Sequence, residues 1–130
     1  MEHLQIAPPY SQLFLTDEGD ESFPVEFSDT PVQVRARGLR LSTLMWQDGP
    51  TTVDIAVGEL LSVPPGVMLA FEGDLATPAR VVVLTDPERR VYWRHAIGTE
   101  RVTVRVWANH PTEPDYLGFE LTPRRDIGQR

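Results

Sequence analysis

Apolar and polar residues alternate with a period of two along most of this 130-residue chain. That period puts every second side chain on one face of a β-strand. The clearest case runs from Arg101 to Ala108, where Val102, Val104, Val106 and Ala108 share one face and Thr103, Arg105 and Trp107 the other. One face is core and the other is wet. Val53, Ile55 and Val57 alternate in the same way, as do Val67, Leu69 and Phe71, and Leu117, Phe119 and Leu121. The run from Val81 to Leu84 is apolar on both faces, as a central strand is. No helical stripe exceeds two turns.

Between Val32 and Met45 the apolar phase changes, with Val32, Val34 and Ala36 at even positions and Leu39, Leu41 and Met45 at odd ones. A one-residue bulge at Arg37-Gly38 explains the change, and two strands joined by a turn there explain it nearly as well. Asp48-Gly49 is predicted to join a strand ending at Trp46 to one beginning near Thr51. Pro64-Pro65-Gly66 breaks the chain before Val67, and Asp86-Pro87 opens a turn before Arg90. With twelve prolines and nine glycines as punctuation, consecutive strands are expected to pair as hairpins. Roughly eight to nine short strands are too many for one small twisted sheet. The expected fold is an all-β, antiparallel, two-sheet β-sandwich forming a single domain over residues 1–130.

Composition agrees: 41% hydrophobic and 24% charged residues are ordinary for a globular chain. The chain holds no cysteine, which excludes disulfides, thiolate zinc sites and a cysteine nucleophile. A reducing compartment suits it, and the cytoplasm is the default. The opening MEHLQIAPPYSQ has no basic segment followed by an apolar one, and no apolar run approaches a membrane span. All twelve basic residues are arginine, the pattern expected from the codon bias of a GC-rich genome. Lysine Schiff-base chemistry is therefore excluded.

Charge is unevenly spread. Residues 1–30 hold seven acids (Glu2, Asp17, Glu18, Asp20, Glu21, Glu26 and Asp29) and no arginine, whereas the remaining hundred hold twelve acids and twelve arginines. The formal net charge of −7 thus originates entirely in the first thirty residues. Such a field argues against nucleic acid as a direct partner, because phosphate binding needs cations.

The sequence offers no phosphate-cradling glycine loop, no nucleophile elbow and no paired histidines at metal-ligand spacing, so neither a cofactor nor a metal is expected. His3, His95 and His110 lie in separate segments. An enzyme centred on His95 and Glu100 would lack a nucleophile or metal set. Calcium at the acidic segment 16–22 would lack the EF-hand spacing.

The stretch Ile6-Ala-Pro-Pro-Tyr-Ser-Gln-Leu-Phe-Leu-Thr-Asp17 resembles the first strands of the competence-associated nuclease-inhibitor family, through Tyr10, Gln12, Phe14 and Asp17. The segment RVTVRVWANHPTEPDYLGFELTP is similar to that family's closing hairpin. The resemblance implies a small acidic β-sandwich that neutralises a nuclease, a character shared by bacterial immunity proteins of toxin systems.

Two binding surfaces follow. In the first, Asp17, Glu18, Asp20 and Glu21 face a basic toxin or nuclease, with Arg105 and Trp107 as anchors, since acidic loops can imitate a phosphate backbone and steer association. In the second, a carbohydrate or small ligand stacks on Trp107 and Trp93 beside His95.

Overall fold

The computed structural model describes residues 1–20 and 32–125. Its ten strands are β1 (Glu2–Ile6), β2 (Gln12–Asp17), β3 (Val32–Arg35), β4 (Gly38–Ser42), β5 (Thr51–Val57), β6 (Met68–Ala76), β7 (Val81–Thr85), β8 (Val91–Ala96), β9 (Arg101–Ala108) and β10 (Tyr116–Arg124). Two 3₁₀ turns, Pro9–Ser11 and Trp46–Asp48, interrupt them. The strands form two five-stranded sheets, one in the order β1-β5-β10-β9-β6 and the other β3-β4-β2-β7-β8. They face each other as a β-sandwich, one or two strands richer than expected.

The alternating residues close the space between the sheets. Val102, Val104 and Val106 of β9 are fully buried, together with Val53 and Ile55 of β5, Phe119 and Leu121 of β10, and Leu13 and Leu15 of β2. Leu39 and Leu41 of β4 and Val82 and Leu84 of β7 meet them from the second sheet. β7 lies between β2 and β8, and its Val83 is buried on the outer face as well. That accounts for the doubly apolar run.

Three expectations are corrected. The phase change after Val34 is a hairpin: Val34 pairs with Leu39 and Arg35 with Gly38, so even positions of β3 and odd positions of β4 share a face. Asp48-Gly49 does not close a hairpin. It carries the chain from β4 in one sheet to β5 in the other, where β5 pairs with β1 antiparallel and with β10 in parallel. A local turn signal states that the chain reverses, and says nothing about which sheet receives it. In β6 a bulge between Leu69 and Phe71 shifts the register. Leu69 therefore lies opposite Trp107 on the outer face while Phe71 stays opposite Val106.

Candidate functional site

The acidic segment sits where β2 ends, and its charges are largely engaged. Asp17 is fully buried. Its carboxylate accepts the Ala79 amide at 3.1 and 3.3 Å and Arg37 Nη2 at 2.7 Å. Asp17, expected on a partner-facing surface, is instead an internal clamp. Glu18 is exposed and takes a two-pronged contact from the Arg94 guanidinium, Nη2 donating to Oε1 at 3.0 Å and Nε to Oε2. This hydrogen-bonded arginine holds the Glu18 carboxyl below its usual range. Asp20 turns back over the outer face of the second sheet, beside Thr16, Thr85 and Asp86. Glu21 lies outside the described residues.

The other expected anchors occupy the outer face of the first sheet. Arg105 Nε donates to Glu72 at 2.7 Å and Nη1 reaches Glu120 at 3.5 Å, forming a ladder across β6, β9 and β10. Glu120 also accepts the Leu61 amide at 2.9 Å, which ties the 58–67 loop onto this face. Trp107 is half-buried in the same row, between Leu69 and Gly118. Its indole N–H is buried without a partner among the described residues.

Trp93 and His95 do come together, their rings stacked with centroids 5.5 Å apart. Trp93 nevertheless belongs to the core, and one of its faces is spent on the imidazole. It offers no open platform for a sugar ring. Trp107 lies on the outside of the other sheet, so the three residues do not converge. Glu100 pairs with Arg80 at 3.2 Å. Among the described residues, no group of three His, Cys, Asp or Glu side chains could hold a metal ion.

What the sequence reading missed is the end of the sandwich where β2 and β5 begin. There the turns 9–11 and 46–48 abut. The Thr43 amide donates to the Ser11 carbonyl at 2.9 Å, Leu44 to Pro114 at 2.9 Å, and Thr52 to Asp115 at 2.8 Å. These bonds fix three loops into one platform. Tyr10 (53%), Met45 (40%) and Trp46 (60%) stand out from it into solvent. Tyr10 and Ser11 both hold positive φ, 58° and 56°, a conformation costly for non-glycine residues. The available signal was an aromatic residue inside each of two polar turn sequences, Pro-Pro-Tyr-Ser and Trp-Gln-Asp-Gly. Beside the platform, the gap between β3 and β6 opens into an apolar cleft of about 330 Å³ reaching Met68, Leu117 and His110.

Two phenols are held by buried carboxylates. Tyr116 donates to Asp54 Oδ2 at 2.9 Å, while His3 Nδ1 contacts the other oxygen. Tyr92 donates to Asp86 Oδ2 at 2.6 Å. Burial first, then the hydrogen bond to an anion, pushes both phenols well above the ordinary tyrosine value. Above about pH 10 the unfolded chain sheds these two protons while the native chain keeps them, so stability falls as pH rises. A urea midpoint lower at about pH 11 than at about pH 8 is expected, and the Y92F/Y116F double variant should lose most of that difference.

No protein-family model matches the sequence, and no curated protein matches it. A solved structure does match the fold: ComJ of Bacillus subtilis, an inhibitor of the DNA-degrading activity of NucA, superposes with a TM-score of 0.72 over 95% of this chain and 96% of that one. Only 4% of the aligned residues are identical, so the likeness lies in the arrangement of strands. This chain shares its fold with ComJ.

Proposed function

We propose that this protein is an acidic, non-enzymatic binding module that inhibits a nuclease by docking on its cationic surface. The observation that carries the reading is the match to ComJ, which extends over nearly the whole of both chains. A net charge of −7 supports it. A nuclease gathers positive charge to hold phosphates, and an anionic protein is steered to that surface and competes there with DNA.

The test is cleavage of double-stranded DNA by NucA with this protein in tenfold excess. Loss of cleavage that is relieved as salt rises is the expected result, because screening weakens steering between opposite charges. Undiminished cleavage at low salt by NucA, together with no binding to it in calorimetry, would overturn the reading.

A further inference from the structure

We infer that the nuclease is gripped by the platform carrying Tyr10, Met45 and Trp46, at the end of the sandwich opposite the Asp17–Arg37 clamp. The inference rests on the inhibitor reading above and gives that reading its interface. Large apolar side chains normally stay inside, and tyrosine and tryptophan exposed together on a fixed scaffold are the residue types that dominate protein–protein binding energy. The scaffold is fixed here. Backbone hydrogen bonds from Thr43 to Ser11 and from Leu44 to Pro114 lock the two turns to the 109–115 loop, so little ordering cost remains to be met on binding.

Charge identifies the occupant. The turns 8–11, 43–50 and 109–115 contain Asp48, Glu113 and Asp115 and no arginine, and all three acids are exposed. The neighbouring 86–90 hairpin adds Asp86 and Glu88 against Arg89 and Arg90. At the opposite end Arg37, Arg80 and Arg101 pair with Asp17, Glu100 and Asp74, so charges of both signs largely cancel there. None of these pairs involves Asp48, Glu113 or Asp115, so the platform keeps its negative charge. An aromatic knob ringed by carboxylates fits a cationic protein surface, with the apolar residues supplying affinity and the acids orientation and on-rate.

The experiment measures NucA affinity and inhibition for the wild type, Y10G, W46A and the Y10G/W46A pair. Glycine suits the positive φ at position 10, so Y10G removes the ring without opposing the backbone. Trp46 is exposed, so W46A leaves no core cavity, and circular dichroism with a thermal scan confirms that both variants fold. We expect the pair to weaken binding by about 100-fold or more, and E18Q to change it less than about threefold, since Glu18 is engaged by Arg94. Hydrogen exchange should slow at Tyr10, Ser11 and residues 43–49 when NucA is added.

Inhibition by the wild type with binding unchanged in Y10G/W46A would overturn this interface and leave the inhibitor reading standing. Absence of wild-type binding would remove both. A wild-type dimer converted to monomers by W46A would assign the patch to self-association, and would also overturn the inference.

Discussion

Replacing Asp17 by alanine should destabilise the protein by about 3 kcal/mol, lowering its melting temperature by about 10 °C. The side chain lies at a junction of three segments. Its carboxylate holds the Ala79 amide, in the connection that crosses from β6 in one sheet to β7 in the other, and Arg37, in the β3–β4 turn. Around it, the Asp17 amide donates to the Arg37 carbonyl at 2.9 Å, and Glu18 to Val81 at 2.8 Å. Without the carboxylate the Ala79 N–H loses its acceptor, and an unpaired buried donor costs more than the net gain of making the bond. Arg37 is 41% exposed and can return to water, so most of the loss comes from the backbone side. Asparagine keeps one oxygen for Ala79 but turns an amide toward Arg37, so D17N should fall between D17A and the wild type. Chemical denaturation checks the series. A loss below about 1 kcal/mol for D17A would show that water enters and takes the place of the carboxylate.

Much of the sandwich was legible because its strands are half-buried and β9 obeys strict alternation. Val102, Val104 and Val106 are core, and Thr103 and Arg105 are not. Where reading failed, the cause was non-local. The bulge in β6 puts Leu69 and Phe71 on opposite faces without altering composition. The parallel pairing of β5 with β10 joins segments more than sixty residues apart, which no hairpin signal can report. The acidic segment shows the same limit in charge. A count along the chain finds Asp17 and Glu18 in a stretch without arginine, yet Arg37 and Arg94 close on them from twenty and seventy-six residues away. Linear charge excess therefore located the acids correctly and their availability poorly. The exposed aromatics of the two turns were hidden by the opposite assumption, that tryptophan and tyrosine mark core or rim.

This redistribution bears on the inhibitor role proposed above. A carboxylate paired with arginine on its own chain contributes little net attraction to a partner, because the pair nearly cancels beyond a Debye length of roughly 8 Å at physiological salt. Asp17 and Glu18 serve the fold in this way, and Arg105 offsets one of the two charges of Glu72 and Glu120. What steers a cationic partner is the unbalanced remainder. Among the described residues, Asp48 and Glu113 are acids of this kind, and both border the aromatic platform.

The same economy of charge predicts a second large effect, at Asp86. This residue is buried at 2% exposure and organises the β7–β8 hairpin as an Asx turn. Oδ1 accepts the Glu88 amide at 2.8 Å and the Arg90 amide at 3.2 Å, and Oδ2 accepts the Tyr92 hydroxyl at 2.6 Å. The turn also requires Arg89 at φ 65°, a strained conformation that these bonds maintain. D86A removes all three hydrogen bonds and should cost about 3 kcal/mol. D86N keeps an acceptor for the two amides, and Tyr92 can accept from its new N–H, so about 1 kcal/mol is expected. Y92F removes a single hydroxyl, and its loss should be of similar size. In D86A the Tyr92 phenol should titrate at lower pH than in the wild type, yet still above free tyrosine, because burial is the larger cause of its shift. Absorbance at alkaline pH reads that change independently of unfolding. If D86A matched D86N in stability, the backbone bonds from Arg89 to Asp86 and from Asp86 to Arg90 would suffice to hold the hairpin, and the carboxylate would serve Tyr92 alone.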